Sequence, residues 1–321
     1  MEWTALLERF TGRKIVVVGD LVVDCVVETR PARLSREAPV PVLHYERRRF
    51  LPGCAANTAM NLSALGADVL VAGVLGEDEA GAAALDAFRD ARIDTSGVVR
   101  AGRSIVKVRI VCGEASRTFQ QVLRIDFEPM EPPSADVRKA VQAAASKAEG
   151  ADGLIVSDYG YGGASAEVVQ AFRAASPAAL VSVDARNGVC ALEGVDLFTP
   201  NEEEAARALG RPIRNDEDAR TAARELRALT GAAAVLLTRG NRGMAVCDGD
   251  VTLLPISGSR EIVDPTGAGD TVVASAALAR AAGAGPVDAA RLAGFAAGVV
   301  VMKAGVASVS RAELLEAIRR G

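Results

Sequence analysis

The chain has 321 residues, 50% of them hydrophobic, which is enough to bury a large core, and its dispersed basic residues and net charge of −4 argue against nucleic acid as a partner. Five widely spaced cysteines without a CxxC pair argue against a zinc ribbon or a disulfide framework and predict reduced thiols in a cytoplasmic protein. The charged N-terminus and the absence of an apolar run of membrane length predict a protein without a membrane segment.

From residue 14 onward, apolar runs of strand length alternate with segments of helical period. This alternation is typical of βαβ units, which form a mainly parallel sheet with helices on both faces. Ligands bind beyond the carboxyl ends of such strands, so we expect the polar residues Asp20, Asp158, Asp184 and Asn201 at that edge. In chain order the pattern predicts strands over 14–20, 68–76, 153–160, 179–186 and 195–202, and helices over 55–66, 79–93 and 271–285.

Two segments, about 21–50 and 104–127, interrupt this alternation. Both are rich in β-branched residues and lack helical period, so we expect them to pair as a small antiparallel sheet that forms a lid over the strand ends. The prediction is one domain over 1–321 with this lid inserted. Its basic residues either face an anionic substrate or only solvate exposed strands; they are Arg33, Arg36, Lys107, Arg109 and Arg124.

The chain contains one histidine, His44, in an extended segment between prolines and arginines. We expect it to be a surface residue of a strand. Multi-histidine metal sites are excluded, and a Ser-His-Asp triad could use only this residue. A general base is therefore expected to be a carboxylate or a lysine.

The stretch DPTGAGDT (264–271) precedes the apolar run 271–285. Gly267 and Gly269 allow a tight turn that exposes backbone N–H groups at the positive end of a helix, which would form an anion hole. Asp270 beside that hole would suit a base that deprotonates a hydroxyl attacking a phosphate. The alternative is a glycine-rich helix start in which Asp270 is only the capping residue. The spacing fits neither a Walker A loop nor a Rossmann GxGxxG motif.

DPTGAGD resembles the D-x-x-G-A-G-D signature of the ribokinase-like (PfkB) carbohydrate kinases, and LPGCAANTAMNLSALG (51–66) resembles their N-terminal glycine-rich signature. The resemblance extends over nearly the whole chain. Within the family it is similar to the heptose 7-phosphate kinases, above all in LSREAPVPV (34–42) and LIVSDYGYG (154–162). It implies a three-layer α/β sandwich with a mainly parallel central sheet and a small antiparallel β lid.

The same resemblance implies an enzyme that uses ATP and Mg²⁺. The expected reaction transfers the γ-phosphoryl group of ATP to the anomeric hydroxyl of a heptose 7-phosphate and gives a heptose 1,7-bisphosphate. One alternative is a PfkB-type kinase for another sugar, sugar phosphate or nucleoside. A second is a non-catalytic sugar- or nucleotide-binding protein. The exposed strand edges of the lid make a homodimer through the lid the expected assembly.

The resemblance also implies the roles of individual residues. Asp270 matches the catalytic base, and the backbone of Gly267, Ala268 and Gly269 matches its anion hole. Basic residues around the inferred sugar pocket further predict that the acceptor already carries a phosphate. The substrate-binding prediction comprises Asp24, Gly53, Asn57, Lys107, Arg109 and Arg186; the nucleotide-binding prediction comprises Asn201, Thr238, Gly240, Gly243 and Gly305; and Asn201 and Glu204 are predicted near the metal, through an indirect contact.

Several positions depart from the family pattern. Cys54 stands where the glycine-rich signature has a second glycine, Tyr161 where the heptose kinases have a lysine, and Gly294 where an asparagine is common. The heptose kinases have Asp-Pro-Lys where this chain has Asp184-Ala185-Arg186, which keeps the positive charge but changes its geometry. We expect Cys54 to alter the approach of a sugar. The bifunctional heptose enzymes continue into a nucleotidyltransferase domain, whereas this sequence reads as a stand-alone kinase.

Overall fold

The fold is built on two β-sheets in a computed structural model that describes residues 2–113, 119–129, 131–146, 149–163, 165–186, 194–257 and 262–320. The strands in chain order are β1 (Lys14–Gly19), β2 (Leu21–Leu34), β3 (Pro41–Cys54), β4 (Asp68–Leu75), β5 (Asp94–Arg100), β6 (Ile105–Cys112), β7 (Gln120–Phe127), β8 (Gly153–Asp158), β9 (Leu180–Ala185), β10 (Leu197–Phe198), β11 (Ala234–Thr238), β12 (Met244–Cys247) and β13 (Val251–Leu254).

Helices lie between several of these strands and near both ends of the chain. In chain order they are α1 (Trp3–Glu8), α2 (Ala55–Ala64), α3 (Glu79–Asp90), α4 (Ala135–Ser146), α5 (Ala166–Ala175), α6 (Glu202–Leu209), α7 (Asp216–Thr230), α8 (Ala268–Ala281), α9 (Pro286–Val300) and α10 (Arg311–Arg320), with a short 3-10 helix over Gly240–Arg242. Within the described ranges, none of the helices has both the length and the apolar character that crossing a membrane requires.

The large sheet has nine strands in the order β13-β12-β11-β10-β9-β8-β1-β4-β5. Its pairs are parallel except for β11 with β12 and β12 with β13. Alternate residues of β1 enter different cores: Ile15 and Val17 belong to the core that also contains residues of α1, α2 and α8, whereas Val16 and Val18 belong to the core that contains residues of α4, α5 and α7. Burial on both faces explains the continuous apolar runs of these strands. The predicted three-layer sandwich is confirmed.

The small sheet has the order β3-β2-β6-β7. Strands β2 and β3, and β6 and β7, are antiparallel, but β2 and β6 are parallel, so the purely antiparallel pairing predicted for segments 21–50 and 104–127 is wrong in this detail. The reason is that β2 and β6 follow β1 and β5, two strands that run in the same direction in the large sheet. Residues 114–118 of the second segment lie outside the described residues.

Several local predictions can be compared with the observed elements. The strand predicted over 195–202 is only Leu197–Phe198, because Pro200 lacks an N–H for the ladder and Asn201 caps the next helix. His44 is an exposed residue of β3, as predicted. Free thiols are present at Cys25, Cys54, Cys112 and Cys247, and Cys190 lies outside the described residues.

Candidate active site

Asp270 lies in the first turn of α8 and is only 4% exposed. Its Oδ2 accepts a hydrogen bond from Nδ2 of Asn57 at 2.9 Å, and its Oδ1 accepts one from the hydroxyl of Tyr159 at 2.7 Å. Burial raises the pKa of Asp270 to about 6, while the two donors and the Lys107 ammonium act in the opposite direction. A carboxylate with this pKa is largely ionised at neutral pH and can accept a proton.

A buried amide network orients Asn57. Asn61, one turn further along α2, donates from Nδ2 to the Asn57 carbonyl at 3.0 Å and to Asn57 Oδ1 at 3.2 Å. Oδ1 of Asn61 accepts hydrogen bonds from the Thr271 hydroxyl and the Val309 N–H, each at 3.2 Å. Because Oδ1 of Asn57 is an acceptor here, its Nδ2 is directed at Asp270.

The start of α8 depends on a glycine. Gly267 is the N-cap residue with a left-handed φ of 83°, and a Cβ atom there would come within 2.7 Å of Nδ2 of Asn57. The carboxylate of Asp270 bonds to Asn57 and Tyr159 instead of to helix N–H groups. The alternative that Asp270 is the capping residue is therefore wrong, because its side chain points to residues of other elements.

The backbone donors predicted to form the anion hole are partly committed. The N–H of Ala268 donates to the Pro265 carbonyl at 3.2 Å. For Gly267 and Gly269, no acceptor of their N–H groups exists among the residues that the structure describes. A Cβ atom at Gly269 would meet nothing within 4 Å, so the space beside it is open. The anion hole stays a prediction, with Gly267 and Gly269 as its uncommitted donors.

Asp24 and Arg109 form an ion pair on the face of the small sheet that adjoins this site. Nε of Arg109 donates to Oδ1 of Asp24 at 2.7 Å, and both side chains are largely buried. A Cβ atom at Gly53 would approach Oδ2 of Asp24 to 2.3 Å, so only glycine leaves room for this carboxylate. Arg109 is thus engaged in orienting Asp24, which leaves it less available for a substrate phosphate than the sequence predicted.

Lys107 is a buried cation of unusual surroundings, with 6% of the residue exposed. Its Nζ lies 3.8 Å from Sγ of Cys54 and 5.4 Å and 6.0 Å from the ring centroids of Tyr159 and Tyr161. In the described part of the chain, no carboxylate lies within ion-pair distance of Nζ. Two aromatic faces and a thiol do not neutralise an ammonium group, so its charge is available to an anion.

Cys54 occupies a strained backbone position directly before α2. Its φ of 53° and ψ of −127° fall in a region that glycine adopts readily and L side chains rarely adopt. Burial raises the pKa of the Cys54 thiol well above its usual value, as does the nearby Asp270. The thiol is therefore neutral, and it fills space beside Lys107 that a second glycine would leave empty.

The loop after β8 is organised around the carboxylate of Asp20. Its Oδ2 accepts the N–H groups of Tyr159 at 2.7 Å and Tyr161 at 3.2 Å, and its Oδ1 accepts that of Gly163 at 2.8 Å. The ring of Tyr159 lies 4.9 Å from Cζ of Arg186, which is exposed. The strand-end residue Asp20 thus fixes the loop that brings Tyr159 to Asp270.

Asn201 and Glu204 form a capping box at the start of α6. Oδ1 of Asn201 accepts the Glu204 N–H and Oε2 of Glu204 accepts the Asn201 N–H, both at 2.9 Å. Burial raises the pKa of Glu204. The described residues include no group of three or more side chains that could hold a metal ion by themselves.

The other residues predicted for the nucleotide lie in two nearby turns. Thr238 ends β11 and bridges to Asn201. Gly243 has a φ of 81°, and a Cβ atom there would lie 2.0 Å from the Leu254 carbonyl oxygen, so this turn requires glycine. Gly240 also has a left-handed φ, of 55°. Gly305 donates its N–H to Oδ2 of Asp264 at 3.0 Å, which joins its turn to the DPTG turn.

The structure divides the predicted site residues into two groups. Asp184, at the end of β9, lies between them: burial raises its pKa well above the usual value, and the carboxylates of Asp270 and Glu204 raise it further. The base-side group surrounds Asp270 and comprises Asp24, Gly53, Asn57, Lys107, Arg109, Arg186, Gly267, Ala268, Gly269 and Asp270. The cap-side group surrounds the start of α6 and comprises Asn201, Glu204, Thr238, Gly240 and Gly243. Gly305 belongs to neither group and is hydrogen-bonded to the DPTG turn.

Tyr159 contacts Asp270 directly, although the sequence assigned it no role. It follows the polar end of β8 in the stretch SDYGYG, and polar strand ends were expected at the ligand edge. A signal was therefore present, but tyrosine is common in loops and nothing in its spacing pointed to Asp270, 111 residues away.

Comparison with known proteins agrees with the fold. Residues 13–313 match the profile of the pfkB family carbohydrate kinases. The bifunctional protein HldE of Azorhizobium caulinodans is 40% identical over 315 residues, which cover 95% of this chain and 64% of HldE. HldE of Pseudomonas aeruginosa strain LESB58 is 36% identical, with 98% of this chain and 65% of HldE covered. The chain thus spans slightly less than two thirds of the length of these relatives.

Solved structures share the fold at lower identity. Phosphofructokinase-2 from Escherichia coli, in complex with substrates and products, has a TM-score of 0.77 and 20% identity, covering 97% of this chain and 99% of its own. Ribokinase from Arabidopsis thaliana, complexed with ribose and ATP, has a TM-score of 0.69 and 22% identity, with 96% and 99% covered. The chain belongs to the PfkB family of carbohydrate kinases.

Proposed function

We propose that this kinase transfers the γ-phosphoryl group of ATP to the anomeric hydroxyl of a heptose 7-phosphate and releases a heptose 1,7-bisphosphate and ADP. The observation that carries the phosphoryl transfer is the buried Asp270 carboxylate, held by Asn57 and Tyr159 at the first turn of α8. The resemblance to heptose 7-phosphate kinases and the buried Lys107 support the choice of a phosphorylated acceptor.

Asp270 acts as the general base in this reaction. It takes the proton of the acceptor hydroxyl while that oxygen forms a bond to the γ-phosphorus and the bond from this phosphorus to the leaving oxygen of ADP breaks. Each carboxylate oxygen keeps a lone pair for the acceptor, because Asn57 and Tyr159 occupy only one direction each. The N–H groups of Gly267 and Gly269 donate to the moving phosphoryl group, whose charge the α8 dipole also stabilises.

Asp24 holds the acceptor's hydroxyl groups. Arg109 fixes one oxygen of this carboxylate, and Oδ2 lies against Gly53, where the missing side chain leaves the sugar free to approach. Lys107 pairs with an anionic group of the acceptor, and Arg186 stands at the exposed side of the same pocket. Arg124 contributes less, because it pairs with Asp126 of its own strand at 2.9 Å.

The residues fit a magnesium ion bound mainly by phosphates and water. In the capping box, Glu204 uses only Oε2, and its other oxygen has no partner among the described residues. Mg²⁺ usually keeps several waters and needs only one or two carboxylates, so a single carboxylate at this place fits it. Glu204, with Asn201 beside it, would hold the ion through water, and the ion would neutralise charge on the phosphates of ATP.

A panel of acceptors tests this proposal. ATP consumption is measured with heptose 7-phosphate, the same heptose without its phosphate, other sugar phosphates and nucleosides, and ³¹P NMR identifies the phosphorylated position. We expect the largest kcat/KM with heptose 7-phosphate and a new anomeric phosphate. Equal use of the unphosphorylated sugar would refute the phosphate recognition. A better acceptor of another class would favour the alternative kinase, which the thiol of Cys54 in the pocket also favours.

We also infer that two copies pair through the small sheet. One face of β6 and β7 carries cross-strand apolar pairs, Ile110 with Leu123 and Val108 with Ile125. Leu123, Ile125 and Phe127 remain about half exposed, at 53%, 43% and 52%. Apolar side chains on the free edge strand of a sheet are typical of an interface. This assembly and the cytoplasmic location stay predictions.

A further inference from the structure

Tyr159 contacts the base of the proposed reaction through its hydroxyl and is fixed at both of its ends. Its hydroxyl donates to Oδ1 of Asp270 at 2.7 Å, and its own N–H donates to Oδ2 of Asp20 at 2.7 Å. The next residue, Gly160, donates its N–H to Oδ1 of Asp158 at 2.8 Å. The backbone of Tyr159 and Gly160 is therefore fixed by the strand-end carboxylates Asp20 and Asp158, which positions the phenol at Asp270.

The ring of Tyr159 is restrained as well. Nζ of Lys107 lies 5.4 Å and Cζ of Arg186 lies 4.9 Å from its centroid, both within the range of cation–π contacts. Burial raises the pKa of Tyr159 well above its usual value, as does the charge of Asp270. The hydroxyl thus keeps its proton and serves only as a donor over the working pH range.

We propose that Tyr159 is a positioning residue of the phosphoryl transfer, whose hydroxyl fixes the plane of the Asp270 carboxylate and favours its ionised form. The inference rests on the proposed role of Asp270 as the base. Two donors from different elements, Asn57 in α2 and Tyr159 after β8, hold one carboxylate oxygen each. The plane of the carboxylate is then fixed, and with it the directions of the lone pairs that remain for the acceptor.

The ionised form of Asp270 needs such donors because its surroundings oppose it. Burial and the Asp24 carboxylate raise the pKa of Asp270, whereas Asn57, Tyr159 and Lys107 lower it. Removing a donor to the charged form raises a carboxyl pKa, by about one unit for each hydrogen bond of this kind. The charged and titratable groups around Asp270 and its two donors are Asp24 on β2, Cys54 before α2, Lys107 on β6, Tyr159 after β8, and Asp184 and Arg186 at the end of β9.

The test is the pH dependence of kcat/KM for the Tyr159→Phe enzyme. Phenylalanine keeps the ring between its two cations and removes only the hydroxyl. We expect the acidic limb to move to higher pH by about one unit, with activity partly recovered in alkaline buffer. The phosphate of the acceptor titrates near pH 6 itself, but its contribution is the same for every variant, so only the difference between variants counts.

Tyr161→Phe is the matched control. It makes the same change two residues away, but the Tyr161 hydroxyl bonds to Glu128 instead of Asp270. Its acidic limb should coincide with that of the unaltered enzyme. An unmoved limb in folded Tyr159→Phe, or equal shifts in both variants, would overturn the proposal.

Two further enzymes keep the outcome decisive. If Tyr159→Phe fails to fold, 3,5-difluorotyrosine at position 159 retains the hydroxyl as a stronger donor and should move the limb to lower pH; an unmoved limb again overturns the proposal. Asp270→Asn separates the two ideas. Near-normal turnover in that variant would reject the base and the role of Tyr159 with it. Lost turnover in Asp270→Asn with an unmoved limb in Tyr159→Phe would reject Tyr159 alone.

Discussion

The base side and the cap side of the site differ in where their polar groups find partners. On the base side, Asp270 bonds to residues 213 and 111 positions away, and Asp24 bonds to one 85 positions away. On the cap side, Asn201 and Glu204 bond to each other, three positions apart. Long-range partners exist only in the folded chain, so the base side is a product of tertiary structure.

The two sides also differ in what their contacts explain. The capping box accounts for both polar side chains of N-x-x-E as local helix structure, whatever else they do. On the base side, the buried ammonium of Lys107 has no carboxylate partner among the described residues, and burial raises the pKa of Asp270 to about 6. Unbalanced buried groups cost stability in the free protein, so they point to a ligand more directly than satisfied ones.

Replacing Lys107 tests the base side with the largest effect among the binding residues. Lys107→Met keeps the length and removes the charge, so the KM for the sugar phosphate should rise by about 10- to 150-fold, or roughly 1.5–3 kcal/mol for one charge-assisted hydrogen bond. The KM for the unphosphorylated sugar should change little. The assay belongs in alkaline buffer, because loss of Lys107 also raises the pKa of Asp270.

Lys139→Met, on the exposed part of α4, is the control for loss of a lysine charge. It should leave both acceptors unaffected. If Lys107→Met weakens both acceptors equally, Lys107 supports the pocket in general and does not recognise a phosphate.

Replacing Glu204 tests whether the cap side does more than start a helix. Glu204→Gln can keep the hydrogen bond to the Asn201 N–H, so the free energy of unfolding should change by less than about 1 kcal/mol. The Mg²⁺ concentration needed for half-maximal rate should rise by about 10-fold or more, because residues that orient metal-bound water matter to this extent.

Helix α7 provides the matched control. Its N-cap residue Asn215 accepts the N–H of Asp218 at 2.9 Å, and Asp218 accepts the Arg214 N–H at 2.9 Å. Asp218→Asn therefore alters a similar helix start among residues to which we assign no site role. If Glu204→Gln and Asp218→Asn change the half-maximal Mg²⁺ concentration equally, Glu204 serves only to cap α6.

Replacing Cys54 should have the smallest effect of these substitutions, and we expect it mainly in the free energy of unfolding. Cys54→Gly removes an L side chain from φ 53°, so the free energy of unfolding should increase by about 1 kcal/mol after the entropy of glycine is subtracted. It should also shift acceptor preference toward heptose 7-phosphate, because the thiol beside Lys107 is gone. Urea unfolding and the acceptor panel measure the two effects.

Arg92→Gly is the corresponding control, since Arg92 has a φ of 57° in an exposed position. It should affect stability without any change in acceptor preference. If Cys54→Gly lowers the free energy of unfolding, the inferred backbone strain at Cys54 is wrong. If the acceptor preference is unchanged, the thiol does not restrict which acceptors the pocket admits.

How much the sequence predicted follows the same division. The βαβ alternation predicted the large sheet because each apolar run reflects burial on both faces, as Val16 and Val17 show by entering different cores. The start of α8 also followed from local chemistry, because a left-handed N-cap at Gly267 needs glycine. Resemblance to a known family placed Asn57 and Asp24, which no local pattern connects to Asp270.

What the sequence did not predict depends on distant contacts. The parallel pairing of β2 with β6 follows from the direction of β1 and β5, which hydrophobic pattern alone does not give. Lys107 and Arg109 are both basic residues of β6, two positions apart, so the sequence does not distinguish them. Only the structure shows that Arg109 pairs with Asp24, whereas Lys107 does not pair with a carboxylate among the described residues. The hydroxyl of Tyr159 reaches Asp270 because the distant residue Asp20 fixes the loop after β8.

The turnover of Asp270→Asn tests the central claim most directly. Asparagine fits the same space: its oxygen can face Nδ2 of Asn57, and its amide can donate to the Tyr159 hydroxyl, so the fold and ATP binding should persist. The account predicts that kcat falls by about 10²–10⁴-fold, because only the proton acceptor is lost. A folded Asp270→Asn enzyme with near-normal kcat would contradict it.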